Sequence, residues 1–223
     1  MNVFNHKPQQ KYRNLLLALI ANFLIVPFLK VGLGGMLSAL LLLGTMLIII
    51  HSFKLAKIYK WMFTAIAILT FIVQVNISIG WLLDPDSAFS ILPLMIFSLY
   101  FGGAAYWICK DLLTTPQITS DTIKGGISVY LLIGYVWAFF YGIVDTLSSR
   151  AFSQPLLLKD SFLTTVHLSF TTLTTLGYGD IVPITEVAQA LTNMEAIVGQ
   201  MYSTVFIAIL VSGYIARNAD KPL

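Results

Sequence analysis

Thr171–Asp180 reads TTLTTLGYGD, four threonines, two glycines, a tyrosine and an acid in a chain whose other long runs are apolar. Hydrophobic residues make up 57% of the 223-residue sequence and charged residues only 10%, against roughly 25% charged in soluble domains. So little charge cannot cover a surface in water, and the composition is that of an integral membrane protein whose solvent is lipid. The ten polar-rich residues therefore stand out within a membrane chain.

The same composition narrows the function. A net charge of +3, with the cations spread over helix ends instead of one patch, disfavours nucleic acid as a partner. The single cysteine, Cys109, excludes an intrachain disulfide and any multi-cysteine metal site. It reads as a buried, inert thiol.

A spanning helix needs about 20 mostly apolar residues, and barrel strands would alternate where these runs do not. Six runs qualify, near 14–33, 35–52, 61–83, 88–109, 124–146 and 189–215. The first two make a hairpin across VGLGG, and the next gaps hold HSFKLAK and the Asp84-Pro85-Asp86 turn. The polar gap from Lys110 to Ile123 divides the chain into a peripheral four-helix module (1–120) and a second module (121–223). Gln74 and Asn76 are expected to bond between helices.

Lysine and arginine concentrate on the cytoplasmic side. With the N-terminus inside, Lys7, Lys11, Arg13, Lys54, Lys57, Lys60, Lys110, Lys124, Arg217 and Lys221 fall inside, and only Lys30, Arg150 and Lys159 fall outside. Both termini are expected in the cytoplasm of a multi-pass protein of the plasma (inner) membrane. Trp61, Trp81, Tyr106 and Trp107 sit near proposed ends, as interfacial aromatics do. The basic start before Leu15 imitates a signal peptide, but a second apolar run follows with no small-residue cleavage pattern. Asn76-Ile77-Ser78 falls inside a proposed span, out of reach of glycosylation, and the glycines at 32, 34 and 35 lack the Lys-Ser/Thr of a phosphate loop.

The quoted motif lies in the last gap, Thr146 to Ala188, about forty residues and too long for a turn. Asp160 to Thr174 is helix-compatible, with an N-cap expected at Asp160 or Ser161, but too short to span. A half-depth helix followed by an extended return is a re-entrant loop, and non-helical backbone survives at membrane depth only where protein or water surrounds it. The segment TLGYG must line something wet.

Thr175-Leu176-Gly177-Tyr178-Gly179-Asp180 resembles the selectivity filter of potassium channels. Helix, half-helix, filter and helix together resemble that family's pore module over roughly residues 121–218. The chemistry fits without the family. Carbonyl oxygens of Thr175, Leu176, Gly177 and Tyr178 would replace the hydration shell of a potassium ion, and Gly177 and Gly179 would supply the positive φ that aims successive carbonyls at one axis. Thr175 adds a side-chain oxygen at the cytoplasmic end, and Leu176 and Tyr178 point outward as wedges.

One such loop is a quarter of a ring, so the resemblance implies a homotetramer in the lipid bilayer. It also implies passive potassium permeation, with K+ as permeant ion, no cofactor and no enzymatic step. A weakly selective cation channel, a potassium-transporter component and a non-conducting regulatory subunit are the alternatives.

The resemblance assigns further roles. Filter support falls to Asp180, His167, Thr171 and Glu195. His167 and Leu168 stand where relatives carry buttressing aromatics, and Thr171 stands where some have a carboxylate. His167 is expected to bond Asp180, and Glu195 to accept from the half-helix or to pair with Arg150 or Lys159. Gly199 falls where the family's inner helix has its hinge glycine, and Ser203, Ile207 and Val211 recur below it as candidate cavity lining.

Six helices around one pore loop also resemble the voltage-gated layout, yet 88–109 holds no lysine or arginine. Voltage sensing draws about 2.3 kcal/mol per charge per 100 mV from such residues. Intrinsic voltage gating is not expected. The chain ends soon after Arg217, so no attached cytoplasmic ligand-binding domain is expected either.

Overall fold

The structure is a computed structural model that describes residues 12–25, 28, 33–52, 56–79, 91–114, 118–157 and 162–219. Several sequence expectations lie outside the described residues: Lys7, Lys11, Lys30, Lys54, Lys159, Lys221, Trp81, Gly32, the Asp84–Asp86 turn and the N-cap candidates Asp160 and Ser161.

The described residues are almost wholly helical: α1 (Arg13–Ile25), α2 (Leu33–Ser52), α3 (Lys57–Ile79), α4 (Ile91–Thr114), α5 (Ser120–Leu147), α6 (Leu163–Leu173), α7 (Glu186–Met201) and α8 (Ile207–Ala219). Four stretches among them are long and apolar enough to cross a membrane: Lys57–Asn76, Ile91–Thr114, Ser120–Leu147 and Glu186–Gly213. The apolar parts of α1 and α2, Arg13–Ile25 and Met36–His51, are shorter.

Two boundaries differ from the sequence reading for identifiable reasons. Helix α4 does not stop at Cys109 but runs to Thr114, because its terminal charges have partners. Lys110 Nζ lies 5.3 Å from the Trp107 ring centroid, and Asp111 accepts a hydrogen bond from Tyr12 Oη. The linker is correspondingly short. Helix α5 starts at Ser120 under a capping box, in which Thr119 Oγ1 accepts from Thr122 N and Thr119 N donates to Thr122 Oγ1 at 3.1 Å. Pro93 falls in the first turn of α4, where a missing N–H removes no helical bond.

Helix α5 is the hub. It packs on α4, α1, α6 and α8, and its Leu132, Tyr135, Ala138 and Phe139 are buried against Leu19, Phe97, Phe101 and Ile108. The Phe139 ring stacks between Phe97 at 5.3 Å and Phe162 at 4.7 Å. Hydrogen bonding joins α1 to α2, where Asn22 Nδ2 donates to Thr45 Oγ1 at 2.7 Å. Asn76, expected to bond between helices, instead donates to Ile72 O in its own helix.

Between α7 and α8 the chain stays helical but widens into a π turn, Tyr202–Phe206. Its i→i+5 bonding inserts an extra residue and shifts the faces of everything downstream. The even stripe Ser203, Ile207, Val211 is thereby broken. Ile207 packs on the core while Ser203 and Val211 are exposed in the single chain.

Helix α7 approaches α6 so closely that a Cβ on Gly199 would lie 2.2 Å from the Leu173 carbonyl oxygen. Gly199→Ala is therefore expected to destabilise the protein by about 1–3 kcal/mol, whereas Gly44→Ala, whose added Cβ meets nothing within 4 Å, is expected to be neutral or slightly stabilising. Thermal unfolding in detergent, followed by circular dichroism, checks both. Equal stability of Gly199→Ala and wild type would contradict the close approach.

Candidate functional site

Helix α6 begins at Leu163, with Phe162 at its N-cap position and no side-chain cap bond. It ends at Leu173 because the chain turns sharply there. Thr174 N donates to Phe170 O, and Thr175 N to Thr172 O at 2.9 Å. From Thr175 to Gly179 the backbone is neither helix nor sheet.

Through this segment φ is positive at every second residue: +58° at Thr175, +54° at Gly177 and +76° at Gly179. Glycine reaches this region at little steric cost. Threonine does not, and a β-branched residue held there stores roughly 1–3 kcal/mol and persists only where its surroundings insist on it. Thr175 Oγ1 donates to Thr174 O at 2.7 Å, and Gly177 N reaches back to Thr171 O at 3.1 Å. These bonds tie the irregular segment to the end of α6. Leu176 and Tyr178, between these positions, are exposed on the single chain.

His167 ties α6 to the far end of the segment. Its Nε2 lies 2.9 Å from Asp180 Oδ2, and its ring stacks on Tyr178 with centroids 5.8 Å apart and planes 6° from parallel. Loss of hydration, the largest single influence, raises the Asp180 pKa, but the bond and charge of His167 and the N–H groups of Asp180 and Ile181 together outweigh it, so the carboxyl lies below its ordinary 3.8. The contact keeps its ionised acceptor above that range and weakens only as pH falls through the lowered value.

Beyond Asp180 the chain is clasped. Phe152 and Pro183 form an isolated antiparallel bridge, Ser153 N donates to Val182 O at 2.9 Å, and Ile184 N donates to Ala151 O at 2.8 Å. The 151–157 stretch is itself fixed to α5, since Asp145 Oδ2 accepts from Leu156 N at 2.8 Å and Leu157 N at 3.1 Å. Sequence reasoning missed this clasp. Its members are about thirty residues apart and carry no periodic signal.

Glu195, on α7, is fully buried. Its carboxyl oxygens meet Ser169 of α6 and Tyr141 of α5, and no ion pair joins it to Arg150 among the described residues. Ser169 Oγ also lies 2.7 Å from Gly134 O. One hydroxyl proton cannot serve two acceptors. The count closes with Glu195 as a neutral acid donating to Ser169, which donates onward to Gly134 O. Three helices thus meet on one polar group behind the segment.

Thr171 is buried, its Oγ1 donating to Leu168 O at 3.0 Å, while its carbonyl takes the Gly177 bond. Gly199 stands within regular helix, and the irregularity lies three residues further on, in the π turn. Among the described residues no three His, Cys, Asp or Glu side chains come together as a metal site.

Residues 125–215, less than half of the chain, match the family model described as "Ion channel". No curated protein and no solved structure matches the chain. The matched residues run from the second turn of α5 to the middle of α8 and enclose the whole of 174–180.

The neutral-acid account of Glu195 has a direct test. Glu195→Gln, which keeps a donor for Ser169 and an acceptor for Tyr141, is expected to stay within about 1 kcal/mol of wild type, whereas Glu195→Ala leaves buried hydroxyls unpaired and loses roughly 1–3 kcal/mol. Melting in detergent distinguishes them. Equal loss in both variants would show that the carboxylate charge itself is required.

Proposed function

Taking the match of residues 125–215 to an ion-channel family model as premise, we propose that the protein is a potassium-selective channel, passing K+ down its gradient with no enzymatic step. The single observation that carries this reading is the alternation of positive φ at Thr175, Gly177 and Gly179. It turns the carbonyls of Thr175, Leu176, Gly177 and Tyr178 to one side as a ladder of oxygen dipoles without a fixed charge.

Four copies close the ladder into a ring, so the working unit is a homotetramer in the lipid bilayer. Residues 121–223 form the pore module, with α6 as its re-entrant half-helix, and residues 1–120 the peripheral module. In this reading the protein sits in the plasma (inner) membrane with both termini cytoplasmic, an orientation that the lysine and arginine bias supports. His167, Asp180, Thr171 and Glu195 brace the filter. In the neutral state of Glu195, that brace adds no charge to the ion path.

The inner helix would bend at the π turn Tyr202–Phe206, a frequent place for kinks, with Gly199 serving the close contact just above it. Ser203 and Val211, exposed on the single chain, are the stronger cavity-lining candidates; Ile207 belongs to the core. Helix α4 carries only Lys110, at its cytoplasmic end, so the pore is expected to open without a steep voltage dependence.

Reconstitution in planar bilayers with opposing K+ and Na+ gradients tests the reading. The expected result is a reversal potential close to that of potassium and a conductance that changes little with voltage, with both current and selectivity lost in Gly179→Ala. A reversal potential near zero would favour the weakly selective channel. Silence of a well-folded wild type would favour a transporter component or a regulatory subunit.

A further inference from the structure

A cavity of about 600 Å³ opens between α2, α3 and α4, well away from the loop, with Ile50, Phe63, Ile66, Tyr100, Gly103 and Trp107 among its walls. That volume lies within the roughly 300–1,000 Å³ of ordinary ligand sites. Its lining is apolar, and the hydroxyl of Tyr100 is already spent, donating to Phe63 O at 2.9 Å. Such walls suit a hydrocarbon occupant and disfavour a polar one.

The cavity has a charged end. Ile50 lies near the end of α2, Phe63 near the start of α3 and Trp107 near the end of α4, so the same three helix ends gather at one membrane surface. Lys60 precedes Phe63 by three residues and Lys110 follows Trp107 by three, which puts each lysine on the helix face that lines the cavity. Lys57 stands one turn further out. Lys110 Nζ rests over the Trp107 ring at 5.3 Å, and the neighbouring Asp111 is engaged by Tyr12.

We propose that this groove binds an anionic phospholipid of the leaflet at the Lys57 end of α3, one acyl chain lying in the groove and the phosphate among Lys57, Lys60 and Lys110. The apolar walls select a chain, and the lysines select a negative headgroup over a zwitterionic one. Helix α3 packs on α2 and touches α4, with Trp61, Met62 and Leu69 exposed on its outer face. The groove therefore faces lipid, away from the α5–α8 half. Gly103 leaves the space open, since a Cβ there would meet nothing within 4 Å.

The proposal needs only the membrane-embedded helices, so its failure and a failure of ion selectivity are separate results. The test uses the full chain with Trp107 as sole tryptophan (Trp61, Trp81 and Trp137 changed to Phe). It is reconstituted in phosphatidylcholine vesicles containing increasing fractions of phosphatidylglycerol or phosphatidylcholine brominated on the acyl chains. Trp107 fluorescence is expected to be quenched by brominated phosphatidylglycerol at a lower fraction than by its zwitterionic counterpart. Lys60→Gln and Lys110→Gln are each expected to reduce that preference about fivefold. Gly103→Leu, which fills open space, is expected to remove the saturable quenching by both lipids, and Gly103→Ala to weaken it.

Equal quenching by the two lipids would overturn the headgroup assignment and the proposal with it. So would saturable quenching that Gly103→Leu leaves unchanged. Absence of quenching by either lipid would overturn it too, and would mean that protein, including a second copy of this chain, covers the groove.

Discussion

Backbone that leaves a helix inside a bilayer must find new partners for its polar groups, and under the proposed channel reading this constraint governs the carboxy-terminal half of the protein. From Thr175 to Gly179 the chain abandons both helix and sheet, with positive φ at Thr175, Gly177 and Gly179. A threonine is held where threonine is disfavoured. Beyond the local bond from Thr175 Oγ1 to Thr174 O, the surroundings hold that arrangement. The bonds from Gly177 to Thr171 and from Thr175 to Thr172 fix one end, the Phe152–Pro183 bridge holds the chain beyond the other, and His167 of α6 ties in Tyr178 and Asp180.

Those supports lead back to α5. Through Asp145 it holds the 151–157 stretch, through Gly134 and Tyr141 it meets Ser169 and Glu195, and through Phe139 it joins the loop's start at Phe162 to the peripheral helices. Tyr202, in the π turn, donates to Gly126 O of the same helix at 2.8 Å. Under the channel reading, one long helix therefore touches filter, outer mouth and inner gate. A movement of α4, its most extensive partner, would be felt at all three without any charge crossing the membrane.

The apolar runs and the paired glycines were legible because each follows from a single-residue rule: enough hydrocarbon to span, and no Cβ where φ is positive. Helix ends were less legible. Lys110 and Asp111 look like a stop, yet Trp107 and Tyr12 absorb them and α4 continues to Thr114. The meeting of Tyr141, Ser169 and Glu195 spans up to 54 residues of sequence, and no periodicity announces it. The π turn was hidden for a different reason. Tyr-Ser-Thr-Val-Phe suits an α-helix well enough, and the contacts that accompany the extra residue, Tyr202 stacked on Tyr130 of α5 and on Phe206, are tertiary or follow from the turn itself. Gly199 drew attention as a hinge by position, while its geometry answers first to the carbonyl of Leu173.

The central claim is that four copies of one carbonyl ladder hold dehydrated potassium ions. Anomalous X-ray scattering from crystals grown in rubidium, a close mimic of potassium, tests it most directly. The expected result is a row of anomalous peaks on a fourfold axis, level with the carbonyls of Thr175, Leu176, Gly177 and Tyr178. Rubidium sites elsewhere with none along this segment, or subunits that share no such axis, would contradict it.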